Sequence, residues 1–207
     1  SQPSTDTIQR CAQELRNVFV RNAGLSCVQR DLIQVFRGSA LSSYLYEVTE
    51  VKAMIARGKR LLLAGEETLL RQLPAGNWIG GSIPYFMAHA GGTKTADQVF
   101  VTQLPEFAKE AEARLYEVAM LPRIPHDYPD NGVSFVILPA SSKAHVEFAQ
   151  HSPSWPGVFD RPLVGWIAGV DLADLGKVSP KVFDGSTGQE SENAAAVLHV
   201  KLPSSHH

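Results

Sequence analysis

The sequence predicts an α/β protein: a mixed sheet of about five or six strands flanked by helices, with a helical N-terminal region. Two observations predict this class. Through residue 58, apolar side chains recur every three or four positions, which is typical of amphipathic helices. After residue 59, short continuous apolar runs alternate with helical patterns, which is typical of a largely buried sheet covered by helices.

Length and composition favour one domain. The chain has 207 residues, of which 44% are hydrophobic and 19% charged, enough apolar material for a real core. We expect a single domain over residues 1–203, with a helical region at 1–58 and a sheet-containing core at 59–203. Residues 204–207 form a tail in which His206 and His207 resemble the remnant of a purification tag.

Charge and hydropathy exclude several classes of protein. The net charge is −2 and no basic run is present, which argues against a nucleic-acid partner. No apolar stretch reaches the roughly 18 residues of a membrane span, and the polar start predicts no signal peptide. Two cysteines are too few for a disulfide scaffold. We therefore expect a cytoplasmic protein without a membrane span.

Three helices are predicted in the N-terminal region, at 8–19, 26–36 and 42–57. The apolar faces of Ile8–Phe19 and Tyr44–Ile55 could dock on a partner protein or on a second copy of the chain, so a homo-oligomer is possible.

The elements predicted after residue 59 follow the apolar pattern. Strands are expected at 60–65, 77–83, 99–101, 133–138, 164–170 and 194–202, helices at 66–73, 106–118 and 140–150, and loops at 121–132 and 152–162. Gly91–Thr95 resembles a phosphate loop but has Thr93 where the Walker pattern needs glycine, so we expect a plain flexible loop. Asp184–Gly188 is expected to be a glycine-rich turn.

A glycine and aromatic segment at 74–87 is the strongest candidate for a binding site. Glycine lets a backbone approach a ligand closely, and aromatic rings form a flat wall for a small molecule. A second aromatic loop, 152–162, precedes the strand that carries Trp166. The alternative is that these aromatic residues belong to the core. The predicted ligand-binding residues are Asn77, Trp78, Gly80, Gly81, Ser82, Tyr85 and Trp155.

The same segment half-matches the turn that exposes a nucleophilic serine. Gly80 and Ser82 fit that pattern, but Pro84 replaces its closing glycine. A triad would need His199 as base, Asp127 or Asp171 as acid, and Gly81 with neighbouring amides as oxyanion donors. His199 shares a strand face with Val197 and Lys201, which we expect to be the more exposed face.

Metal and cofactor binding have weak support. His89, His126, His145 and His151 show no spacing that suits a known metal site, so no metal is expected. The pattern identifies no cofactor.

Part of the chain resembles a known family. The run Leu63–Gly65, the segment Trp78–Gly81, the strand Val164–Gly169, the turn Phe183–Gly185 and the strand Ala196–Val200 are similar to uncharacterised bacterial proteins distantly related to FIST sensory domains. The resemblance covers about residues 60 to 203 and implies an α/β ligand-binding or signal-input module without established catalytic residues.

Three hypotheses follow. The first is a non-catalytic module that binds a small molecule or receives a signal. The second is a small serine hydrolase that uses Ser82. The third is a protein-interaction subunit that docks through its N-terminal helices.

Overall fold

A computed structural model describes residues 45–88, 91–106, 108 and 110–202. The helices predicted at 8–19 and 26–36 and the tail 204–207 lie outside these residues. The strands are β1 Leu45–Glu47, β2 Leu61–Gly65, β3 Trp78–Ser82, β4 Tyr85–Ala88, β5 Gly91–Lys94, β6 Gln98–Gln103, β7 Glu110–Glu117, β8 Gly132–Pro139, β9 Leu163–Ala168, β10 Val182–Asp184, β11 Gln189–Ser191 and β12 Ala194–Lys201. The helices are α1 Val48–Ala56, α2 Glu67–Leu70 and α3 Lys143–His151, with 3-10 helices at Val118–Asp127, Ser152–Ser154 and Leu172–Asp174.

The described strands form two mixed sheets and a separate hairpin. The first sheet has six strands in the order β1-β6-β2-β3-β10-β11, and the second has four in the order β7-β12-β8-β9. Strands β4 and β5 pair only with each other. The α/β class is confirmed, but the single sheet that we expected is wrong. Apolar runs report that a strand is buried and do not report which sheet it joins.

The two sheets pack face to face around a central core. Its buried residues include Leu62 and Ile79 of the first sheet and Phe135, Ile137 and Leu198 of the second. Helix α1 covers the outer face of the first sheet through Val51 and Ile55. Helix α3 and the 3-10 helix Val118–Asp127 cover the outer face of the second sheet through Phe148, Leu121 and Ile124. The result is four layers in which β2, β8 and most of β12 are buried.

Several predicted elements are confirmed. Strands lie at or near the predicted positions for β2, β3, β6, β8, β9 and β12. Helix α2 lies within its predicted segment, and α3 overlaps the segment predicted at 140–150 but ends one residue later. The turn between β10 and β11 falls in Asp184–Gly188. The predicted loop at 121–132 is partly a 3-10 helix.

Three assignments of individual elements were wrong. The helix predicted at 106–118 is strand β7, since Ala111, Ala113 and Leu115 pack on the central core and alternate with charged residues, a period of two. The helix predicted to start at Ser42 starts at Val48, after a strand that pairs with β6. Gly91–Lys94 is a strand paired with β4 and not a loop.

Each sheet contains one parallel pair built as a strand–helix–strand unit. In the first sheet β2, α2 and β3 form the unit, and in the second sheet β8, α3 and β9 do. The carboxyl ends of these strands meet at one edge, because the amide of Gly169 donates to Ser82 O at 2.7 Å and the amide of Ala140 donates to Ala168 O at 2.9 Å. Carboxyl ends of parallel strands are where open α/β sheets bind ligands.

Candidate functional site

Ser82 joins the two sheets at this edge. Its hydroxyl donates to Gly169 O at 2.9 Å and accepts from the amide of Lys181 at 2.9 Å, while its carbonyl accepts from the amide of Gly169. The side chain is buried and both hydrogen-bonding roles of the hydroxyl are taken by backbone. Ser82 therefore acts as a structural link between β3, the end of β9 and the start of β10.

Polar side chains gather immediately beyond the strand ends. The Tyr85 hydroxyl donates to Asp171 Oδ1 at 3.2 Å and accepts from the amide of Leu172 at 3.2 Å. Lys94 forms an ion pair with Asp171, and its ammonium lies 5.8 Å from the centre of the Tyr85 ring. The hydrogen bond from Lys94 lowers the pKa of Asp171, and Asp171 in turn raises the pKa of Lys94.

Glu66 completes this group, which we call the strand-end cluster: Glu66, Tyr85, Lys94 and Asp171. Glu66 follows the last residue of β2 and is partly buried. Within the part of the chain that the structure describes, its carboxylate has no hydrogen-bond or ion-pair partner. Burial raises the pKa of Glu66 first, and the negative charges of Asp171 and Asp174 raise it further, while Lys94 lowers it. Among the described residues, the cluster therefore holds a carboxylate that makes no direct ion pair and whose charge is disfavoured overall.

Trp78, Gly80 and Gly81 are packing residues. The indole of Trp78 is buried under helix α1 and donates to Pro74 O at 3.0 Å. A Cβ on Gly80 would lie 3.3 Å from Leu63 O, and one on Gly81 would lie 2.7 Å from Ile137 Cγ2. The glycines permit close packing on both faces of β3.

The structure does not bring the other predicted residues to one place. Trp155 is buried on the outer face of the second sheet, where it meets Phe148 edge to face at 5.5 Å. Trp78 lies on the outer face of the first sheet, so two sheets separate the indoles. Asn77 is exposed just before β3. Of the predicted set, Ser82 and Tyr85 lie at the strand-end edge.

His199 is buried in a network of its own, so its expected exposure is wrong. The 3-10 helix at 118–127 and the residues after it cover its strand face. Its Nδ1 lies 2.7 Å from Ser134 Oγ, and its Nε2 lies 2.8 Å from the Tyr116 hydroxyl. That hydroxyl donates to Asp127 Oδ2 at 2.7 Å, and Arg114 donates to the same oxygen at 2.9 Å.

The direction of these bonds defines the histidine tautomer. The Tyr116 hydroxyl donates its single hydrogen to Asp127, so its oxygen can only accept from His199. His199 therefore donates from Nε2 and accepts at Nδ1 from the Ser134 hydroxyl. Burial lowers the pKa of His199 to about 4, so the ring is neutral at pH 7. Its partners are Ser134 and Tyr116, and it forms no hydrogen bond with Ser82. Of the two acids considered for a triad, Asp127 belongs to this network and Asp171 to the strand-end cluster.

Ser141 has an unusual backbone. It is exposed, lies in the turn between β8 and α3, and has φ 60°, the sole positive φ of a non-glycine residue within the described ranges. Its amide donates to His145 Nδ1 at 3.2 Å, and Ser142 caps α3 by accepting from the amide of His145 at 3.0 Å. The strand–turn–helix geometry that the sequence suggested at Ser82 is thus found at Ser141.

The described residues contain neither a group of candidate metal ligands nor a helix that could span a membrane. No group of three or more His, Cys, Asp or Glu side chains there could hold a metal ion. None of the helices in the same residues has both the length and the hydropathy of a membrane span.

Sequence reasoning missed Glu66, Lys94, Ser134 and Tyr116. The signal for Glu66 was its place directly after the apolar run of β2, where side chains of a parallel sheet reach the binding edge. No comparable signal marked Ser134 or Tyr116, because their network depends on pairing between three strands.

Comparison with known proteins identifies a family. The model of a family of unknown function, DUF6976, matches residues 46–207. The chain belongs to this family. No curated protein and no solved structure matches the chain. The DUF6976 match covers both sheets and the strand-end cluster, so the cluster lies within the family region.

Proposed function

We propose that this DUF6976 protein is a non-catalytic module that binds a small polar molecule at the strand-end cluster. One observation carries the proposal: four strand ends converge on one edge, and Glu66 stands there with an unpaired carboxylate. Glu66 is partly buried beside other acidic groups, which makes its ionisation less favourable, so a ligand that donates a hydrogen bond or a positive charge to its carboxylate would be stabilised there.

The charges of the cluster favour a cationic or hydrogen-bond-donating ligand. Lys94 is already paired with Asp171, and Asp174 adds a further negative charge to the surroundings of Glu66. An ammonium or guanidinium group would offset the repulsion between these carboxylates, and a hydroxyl group could donate a hydrogen bond to Glu66. Three exposed apolar side chains follow Asp171 in the chain and could contact an apolar part of the ligand: Leu172, Leu175 and Val178.

The test is native mass spectrometry of protein purified under non-denaturing conditions from its own host. A retained small molecule is expected in the wild type and should be lost in Glu66→Gln. Glu147→Gln is the matched control, because Glu147 lies on α3 and pairs with His151. A molecule that is retained equally by both variants, or no retained molecule at all, would contradict the proposal.

The hydrolase alternative is weaker on contacts alone, since both hydrogen-bonding roles of the Ser82 hydroxyl are taken by backbone groups and none of the histidines among the described residues is hydrogen-bonded to it. A fluorophosphonate probe separates the two functions. We expect no adduct. An adduct that disappears in Ser82→Ala or in Ser141→Ala would overturn the non-catalytic assignment and identify the reactive serine.

The resemblance to FIST sensory domains extends the proposal to signal input. In that role, ligand binding at the strand-end cluster would change a surface that a partner protein reads. In a pull-down from a host lysate with the retained ligand present, we expect the wild type to capture a partner protein that Glu66→Gln does not capture.

A further inference from the structure

We propose that the Ser134–His199–Tyr116–Asp127 network is an acid-sensitive latch that holds residues 125–130 against the second sheet and releases them when His199 is protonated. We call these residues, which comprise the end of the 3-10 helix Val118–Asp127 and the three residues after it, the 125–130 loop. The inference is independent of the strand-end cluster.

The network supplies polar and aromatic contacts to the loop, and Tyr128 also packs against the apolar cluster on the outer face of the second sheet. Asp127 accepts from Tyr116 and Arg114, and the ring of Tyr128 meets the ring of His199 edge to face at 6.3 Å. The Tyr128 hydroxyl adds one bond of 3.3 Å to Val158 O. Loss of order at His199 would therefore remove the platform on which Tyr128 rests.

Fixed points on both sides limit the movement to this loop. Before it, Ile124 is fully buried under the second sheet. After it, the backbone of Asn131 accepts from the amide of Leu202 at 2.8 Å, and the Asn131 side chain donates to Leu202 O at 3.2 Å. The loop can detach without disturbing either anchor.

Protonation of His199 disfavours the closed arrangement. A proton on Nδ1 of His199 makes that atom a donor, so the Ser134 hydroxyl must turn its hydrogen away from the ring. Ser134 is fully buried, and a turned hydroxyl would have no water to meet. The charged ring would also lose hydration that only an open loop can restore.

The charged groups around His199 do not compensate for the desolvation of a protonated ring in the closed state. Asp127 is the nearest acid, but it is shared between Tyr116 and Arg114. Glu112 on β7 favours the charged ring, whereas Arg114 on the same strand opposes it. Ser134 on β8 and Tyr128 in the loop are neutral. Farther along β12, Lys201 is paired with Glu110 at 3.0 Å. Desolvation outweighs these charges and keeps the ring neutral in the closed state.

The test is amide hydrogen exchange of the full chain between pH 7 and pH 4, corrected for the intrinsic pH dependence of exchange. The open state takes up the proton near the ordinary pKa of 6.5 and the closed state only near a pKa of about 4, so the opening equilibrium should rise about tenfold for each unit that the pH falls between these two values. Protection of the 125–130 loop should fall accordingly, while the amides of β8 and β12 stay protected.

Two further measurements make the result decisive. Imidazole NMR on the wild type should show the Nε2–H tautomer of His199 at pH 7, and its titration should coincide with the loss of protection. His199→Gln should remove the pH response, whereas His145→Gln, at a histidine of α3, should keep it. Loss of protection in all strands together, or an unchanged response in His199→Gln, would overturn the latch.

Discussion

At the scale of single residues, the glycines of β3 explain how two sheets approach each other. Gly81 faces the central core, where an added Cβ would lie 2.7 Å from Ile137 Cγ2 and 3.1 Å from Ala168 Cβ. We predicted from the sequence that this glycine lines a binding pocket. A glycine that lets a ligand approach and one that lets a second sheet approach give the same sequence pattern. Only the position of the second sheet separates the two.

Gly81→Ala should therefore destabilise the protein by about 1–3 kcal/mol through overpacking. Gly169→Ala is the matched control, since a Cβ there meets nothing within 4 Å. Urea unfolding of both variants tests this. Equal stability of the two variants would show that the sheets can move apart at no cost.

Glu66→Gln should raise stability at pH 7, because the native state no longer holds an unpaired charge. The pKa of Glu66 is raised above its ordinary value of 4.5, so ionisation is less favourable in the folded than in the unfolded chain. The gain should be at most about 0.5 kcal/mol, present at neutral pH and absent at a pH well below 4.5. Thermal unfolding at two pH values measures it, and a loss of stability at pH 7 would contradict the account.

Tyr116→Phe should cost about 1–3 kcal/mol, because it leaves the buried Nε2–H of His199 without an acceptor. Tyr128→Phe is the control and should cost less, since its hydroxyl makes one long bond to Val158 O. Chemical denaturation of both variants gives the comparison. A larger loss for Tyr128→Phe would mean that the network is not what stabilises this region.

At the scale of elements, the sequence predicted buried strands well and amphipathic ones poorly. Strand β8 is apolar throughout and could be recognised without its neighbours. Strand β7 was mistaken for a helix because its residues have good helix propensity, and its pairing with β12 overrides that preference.

The residues of the candidate site also differ in how far they could be predicted from local sequence. Ser82 and Tyr85 could be predicted to lie near a functional edge, because they come at or after the end of a buried strand. Trp155 could not be placed, since whether two aromatic segments meet depends on the arrangement of sheets. The network around His199 was missed because Ser134, His199 and Tyr116 come from three strands that are distant in sequence.

At the scale of the whole molecule, each layer of the core contains one of the three tryptophans. Trp78 lies between α1 and the first sheet, Trp166 packs against the central core, and Trp155 lies between the second sheet and α3. Fluorescence can therefore report the unfolding of each layer separately.

Three variants that each retain one tryptophan, with phenylalanine at the other two positions, should unfold in a single transition when each is followed by fluorescence and by circular dichroism. The central core is shared by both sheets, so neither sheet can lose its inner face without exposing the other. Distinct fluorescence and circular dichroism midpoints within one variant would instead indicate that the sheets unfold as separate units.

The hydrogen bonds between Ser82 and Gly169 have a consequence for affinity. They fix the edge of one sheet against the edge of the other, so Glu66 and Asp171 are held at a spacing that neither sheet sets by itself. The distance between the two carboxylates therefore depends on the separation of the two sheets. Substitutions deep in the central core, far from any ligand, would then change the affinity for the ligand by changing the distance between Glu66 and Asp171.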